Sequence, residues 1–158
     1  MPILLTIFKK IIMHSISRLY HCLLFSSLPF LSCNTPMHTR SAVESAMKHY
    51  DHLIRKLDAD SIALLYTPDG MLGEMARGRD SIRKFLSSFK NVQVLSQVST
   101  TNFIEIIHDT AIQKGTYSQT DVISNKDTVR VKGEFTARWI LIGKQGWHIK
   151  RMDTKPSN

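Results

Sequence analysis

At 158 residues the chain is long enough for one domain with a substantial core and too short for two comfortable ones. Apolar residues at 42% and charged residues at 22% are ordinary globular proportions and argue against a disordered chain. The formal charge of +8 overstates the basicity of the body: residues 1–32 hold Lys9, Lys10 and Arg18 and no acid, so removing those three cations leaves +5, dispersed and without interleaved aromatics. No nucleic-acid partner is expected from that pattern.

The N-terminus reads as an address. Arg18 precedes an apolar run from Leu19 to Leu31, broken by Ser26, Ser27 and Pro29. A membrane-spanning helix needs roughly 20 apolar residues. A basic region followed by a shorter apolar one is the pattern of an export signal, placed here at residues 1–32, with Met13 an alternative start. Phe30-Leu31-Ser32-Cys33 resembles the bacterial lipobox, although phenylalanine stands where leucine is usual. Cleavage before Cys33 removes Cys22 with the signal, so Cys33 becomes the one remaining cysteine, explained by acylation and unable to form an internal disulfide. The alternative is an ordinary secretory signal, giving a periplasmic or secreted soluble protein. Residues 33–39 then form a lipid-anchored tether, and residues 40–154 the folded domain of an envelope protein.

The first helix opens on a capping box, with Ser41 as N-cap and Glu44 three residues on. Its apolar stripe runs Val43, Ala46, Met47, Tyr50, Leu53, Ile54 and Leu57. Asp58 or Asp60 caps a short helix over 61–66, and Pro68 ends it. Residues 70–75 read as a short strand, Arg77-Gly78-Arg79 as a turn, and Asp80 as the cap of a third helix over 81–89 burying Ile82, Phe85, Leu86 and Phe89. From Asn91 onward the period changes to that of strands rich in β-branched and aromatic residues. Gln113, Gly115, Tyr117, Gln119 and Asp121 share one face. After a turn at Asn125-Lys126-Asp127, Val129 through Leu141 alternate with Arg130, Lys132, Glu134, Thr136 and Arg138. Gly143–Gly146 is a further turn, after which Trp147, Ile149 and Arg151 alternate with His148 and Lys150. Helices first and antiparallel strands afterwards predict an α+β domain.

These signals, taken in order, resemble the nuclear transport factor 2-like superfamily, in particular its SnoaL-like and ketosteroid isomerase-like branch. The resemblance rests on Leu57-Asp58-Ala59-Asp60, Leu64-Leu65-Tyr66-Thr67-Pro68-Asp69-Gly70, Gly78-Arg79-Asp80, Gly115-Thr116-Tyr117, and Arg138-Trp139 with Gly146-Trp147-His148-Ile149, spanning roughly 39–153. It implies a cone-shaped, curved mixed or antiparallel sheet wrapped around the long first helix, with a cavity opening to one side. It also implies that the open sheet face can pair with a second copy, as a homodimer or interaction module. The isomerase branch uses a helix tyrosine as hydrogen-bond donor, a carboxylate as proton-abstracting base and a late protonated acid. By position, the first two fall on Tyr50 and Glu74. The third falls near Thr136 or Ala137, where no acid stands and Glu134 is the nearest.

A carboxyl group at Glu74, among Met71, Leu72, Met75 and Ala76, suits a general base if those neighbours surround it. The competing reading pairs Glu74 with Arg77 or Arg79 and makes Tyr50 a core aromatic. Tyr50, Glu74, Tyr117, Gln119, Phe135, Trp139 and Trp147 are the candidate ligand-binding residues. Asp58, Asp60, Asp69 and Asp80 belong to caps and turns. No cofactor is expected. His49, His52 and His108 lack metal-ligand spacing, and neither a phosphate loop nor a nucleophile motif occurs. The incomplete catalytic set favours a domain binding a small apolar or amphipathic molecule, against the alternative of a cofactor-free isomerase or lyase with Glu74 as base and Tyr50 as donor.

Overall fold

The computed structural model describes residues 38–124 and 126–157. The expected signal, Cys22 and Cys33 lie outside the described residues, as does most of the tether. No helix among the described residues is long and apolar enough to cross a membrane.

Three helices precede most of one mixed sheet. Helix α1 is Arg40–Lys56 and α2 is Ala59–Leu65; β1 (Tyr66–Leu72) and the two-residue β2 (Ala76–Arg77) lead to α3 (Arg79–Leu86). Strands β3 (Val92–Ile107), β4 (Thr110–Ile123), β5 (Asp127–Leu141) and β6 (Trp147–Pro156) follow. The sheet order is β2-β1-β6-β5-β4-β3, antiparallel except where β1 runs parallel to β6. This is the expected α+β layout.

The cap of α2 is one of the two expected, while the starts of the other two helices differ from expectation. Thr39, not Ser41, caps α1: its Oγ1 accepts from the Ala42 N–H at 3.2 Å, while Glu44 pairs with Arg40 instead of reaching back. Asp58 caps α2 by accepting from the Ser61 N–H at 3.0 Å. Gly78, at φ 81°, precedes α3 with no side-chain cap, and Asp80 instead takes Arg83 at 2.7 Å. Pro68 does not end α2; it lies inside β1, where the pairing with β6 is interrupted between Tyr66 and Met71, so its missing N–H costs no ladder bond there.

The stripe on α1 is buried as its spacing predicts, with Val43, Met47, Tyr50, Leu53 and Ile54 inside. Apolar contact is supplemented by a polar clamp. The Asp51 carboxylate accepts from the Ser99 N–H at 2.8 Å, the Ser99 hydroxyl at 2.7 Å and the Gln97 amide at 3.2 Å, tying α1 to β3. Beneath α1, burial pushes the Tyr50 phenol up to about 12, an effect the neighbouring Tyr66 hydroxyl partly offsets. Tyr66 is raised further, by burial first and then by Tyr50, and its hydroxyl has no hydrogen-bond partner of good geometry.

Two predictions follow from this core. Asp51→Ala leaves the Ser99 N–H and Gln97 amide without their charged acceptor and should lower the urea-unfolding free energy by about 3 kcal/mol. A phenol whose folded pKa is raised contributes stability that is complete below its unfolded value of 10.0 and is lost as pH climbs through the folded value. Stability should therefore fall between pH 10 and 12 by up to about 1.4 kcal/mol per pH unit for each buried phenol. Tyr66→Phe removes one of the two buried phenols and should flatten that fall; an unchanged alkaline slope would refute the assignment.

Candidate functional site

Strand register sets out the concave face of the sheet in rows across β3, β4 and β5. Val94 stands opposite Asp121 and Asp121 opposite Val129; Gln97 faces Gln119 and Gln119 faces Val131; Ser99 faces Tyr117 and Tyr117 faces Gly133. One row further, Gly115 faces Phe135. The two glycines leave room for the two rings. A Cβ on Gly115 would lie 2.8 Å from the Phe135 ring, and one on Gly133 would lie 2.8 Å from the Tyr117 ring. Both would also strike backbone carbonyls, at 2.0 and 2.3 Å. The aromatic rings therefore lie across their neighbouring strands instead of standing out into the space above them.

Helix α1 crosses above these rows, and a cavity of about 410 Å³ remains between helix and sheet. Met47, Tyr50, Ile54 and Leu57 form its α1 wall, and Phe85, Leu86 and Phe89 close it from the α3 side. Leu72, Met152, Phe135 and Val94 are its deeper apolar lining, while Met75, Phe89, Ile123 and Val129 are also exposed to solvent and mark the mouth. The size and lining are those of a small-molecule site.

Polar groups are few and placed on the sheet. Gln97, Ser99, Tyr117, Gln119, Asp121 and Thr154 line the cavity together with the Tyr50 phenol. Partial burial raises the Tyr117 phenol above its ordinary range. Asp121 is 9% exposed, and both its oxygens accept from the Gln119 amide at 2.9 Å. Among the described residues, Asp121 is the only acidic or basic side chain on the lining.

The sequence-derived site separates into two groups. Tyr50, Tyr117, Gln119 and Phe135 line the cavity together. Glu74, Trp139 and Trp147 do not. Trp139 is sealed in the core, donating its indole N–H to Gln113 at 2.9 Å, and Gln113 in turn donates to Thr101 at 2.8 Å. Trp147 is buried beside the His38 ring near the end of the sheet.

Glu74 sits in the turn between β1 and β2, 82% exposed, and its carboxylate takes the Arg151 guanidinium. The apolar neighbours in its sequence do not surround it, because a tight turn carries the side chain away from the sheet. Its partner is neither Arg77 nor Arg79. A bulge in β6 explains the choice: Trp139 pairs with Ile149 but Arg138 pairs with Arg151, so Lys150 is the extra residue. The slip moves Arg151 from the inward row, where simple alternation puts it, to the outer face. There Asp153 and Glu74 hold it and raise its pKa, Asp153 first. With Glu74 outside and no acid at Thr136 or Ala137, the isomerase triad is not assembled.

Among the polar lining residues, Gln97, Ser99, Asp121 and Thr154 are those that pattern reading did not select. Asp121 was on the right face but gave no reason to prefer it to a solvated turn-proximal acid. Gln97 lies beyond a bulge between Val94 and Ser96, which shifts the inward parity from even to odd positions. Among the described residues no group of three or more His, Cys, Asp or Glu side chains is arranged to hold a metal ion.

No family model matches the chain, and no curated protein matches it. Solved structures do. A ketosteroid isomerase-like protein from Erwinia carotovora atroseptica SCRI1043 superposes with TM-score 0.65 at 17% identity, over 75% of this chain and 95% of its own. A nuclear transport factor 2-like superfamily protein from Salmonella enterica serovar Typhimurium LT2 gives 0.62 at 16% identity, over 75% and 90%. A Catenulispora acidiphila protein in complex with S-DNPA gives 0.64 at 14% identity, over 73% and 91%. At these identities the likeness establishes architecture, not activity. The fold of this chain is nuclear transport factor 2-like: a six-stranded mixed sheet with helices packed on its concave side.

Proposed function

We propose that the domain binds one small, largely apolar molecule between α1 and the concave sheet, without chemistry of its own. The observation carrying this reading is the cavity itself: about 410 Å³, apolar along α1, α3 and its depth, and polar only along Gln97, Ser99, Tyr117, Gln119, Asp121 and Thr154. A concavity of this size, mostly apolar with a few placed polar groups, has the dimensions and lining of a small-molecule site. The complex of the Catenulispora acidiphila neighbour with S-DNPA is in keeping with a small-molecule role on this fold. The displacement of Glu74 onto Arg151 weighs against the proton-abstraction alternative.

Native mass spectrometry of the full-length chain should detect a retained small molecule, or a saturable complex with an added naphthyl compound. Val131→Trp places a large ring on the lining and should weaken retention at least about tenfold. Glu74→Gln should leave it intact. Retention that is indifferent to Val131→Trp, or lost in Glu74→Gln, would place the ligand elsewhere.

The address read from residues 1–39 belongs to the same proposal: a signal over 1–32, an acylated Cys33 and a short tether holding the domain of 40–154 at an envelope membrane. Cys33→Ala should move the protein from the membrane to the soluble envelope fraction, and undiminished membrane association in that variant would count against the anchor.

A further inference from the structure

We propose that the mouth of the cavity docks on an anionic lipid surface, its apolar rim entering the acyl boundary and the basic side chains around it taking headgroup phosphates. The docking goes beyond the binding reading above and holds whether or not the cavity retains a ligand. Two observations carry it.

The first is the rim. Met75 in the β1–β2 turn, Phe89 after α3, Ile123 at the end of β4 and Val129 near the start of β5 all line the cavity and are between 37% and 56% exposed. An exposed apolar side chain standing singly is ordinary. Four of them, brought from separate segments to one opening, form a patch that marks an interaction site.

The second is the charge around that rim. The C-terminal half of α1 turns Lys48, His49, His52, Arg55 and Lys56 to solvent, and Leu57 after them lines the cavity. Across the opening, Lys90 follows Phe89, and Lys126 sits in the turn between Ile123 and Val129. The Ser124 N–H donates to the Asn91 carbonyl at 2.8 Å and Val92 pairs with Ile123, so these two basic segments are held side by side. Among the described residues none of these lysines and arginines is in a salt bridge. Acids close by in the chain are engaged elsewhere: Asp51 by β3, Asp58 by the Ser61 N–H and Glu74 by Arg151. Asp127 is the exposed acid left on this stretch. Lys56 foremost, with Arg55 and His49 adding, holds His52 below the ordinary imidazole value, as an uncompensated positive surface requires.

Cations around an apolar rim match a leaflet of acidic phospholipid, which offers phosphates outside and hydrocarbon beneath. A nucleic acid offers the phosphates but no place to bury Met75, Ile123 and Val129. Docked this way, the cavity opens onto the acyl region, and an apolar ligand passes between bilayer and protein without crossing water.

The test places a reporter on the rim. In the full-length chain Phe89→Trp adds an indole there, whereas Trp139 and Trp147 are buried. Vesicles of brominated phosphatidylglycerol should quench the added fluorescence, and brominated phosphatidylcholine should need at least about tenfold more lipid for the same effect. Adding Arg55→Glu and Lys56→Glu should raise the lipid required at least about tenfold. Lys132→Glu with Arg138→Glu makes the same change in net charge on exposed β5 positions away from the mouth and should leave the requirement within about twofold. Val129→Trp, checked for native circular dichroism, repeats the measurement from the other side of the rim. An unquenched reporter on vesicle-bound protein means capture through residues 1–39 alone and overturns the docking. Equal weakening by both charge-reversed pairs reduces it to net charge and overturns it as well, as does tighter binding of duplex DNA than of vesicles through Arg55 and Lys56.

Discussion

The clamp between the Asp51 carboxylate and strand β3 is the contact on which the site depends. Apolar burial alone presses a helix as close to a sheet as side-chain volume allows, since dispersion and the hydrophobic effect have no preferred distance beyond contact. Three directional hydrogen bonds to Gln97 and Ser99 do specify one. They seat one edge of α1 on the sheet, and the neighbouring residues Met47, Tyr50 and Ile54 roof the space beyond that edge. The same clamp orients the Gln97 amide, whose Nε2 donates to Asp51.

Two glycines do comparable work on the floor. At Gly115 and Gly133 any side chain would collide with a neighbouring carbonyl and an aromatic ring. Their bareness lets Phe135 and Tyr117 cover adjacent strands. A sheet face with standing aromatics would fill the space beneath α1; with rings laid across glycines, it stays open. On the other side of the sheet, Arg151 gathers Asp153 and Glu74 into an exposed ion cluster, where screening by water keeps each pair's contribution small.

Much of the architecture was legible in the residues because helical and strand periods differ. The α1 stripe came out as spaced, and the inward row on β4 and β5 placed Tyr117, Gln119 and Phe135 correctly. The misses share a cause. Period-2 reading fails at a bulge, and bulges at the start of β3 and at Lys150 shifted Gln97 inward and Arg151 outward. Alternation also identifies a face without saying where along it the packed core ends and the open cavity begins. Trp139 is on the concave face and yet sealed against Gln113. Glu74 failed for a related reason: apolar neighbours in sequence are not neighbours in space at a turn.

By itself the sequence determined the α+β order of elements, the buried stripe of α1, the concave row of β4 and β5, and a resemblance strong enough to anticipate the fold. Those are local properties, set by the period at which apolar side chains recur along one segment. Only the tertiary structure decided that Glu74 stands apart from the cavity lining, that Asp51 spans from helix to strand, and that Gln97 and Ser99 share the lining with Asp121. Each of those depends on register between strands distant in the chain, and a single inserted residue changes register without leaving a mark in composition.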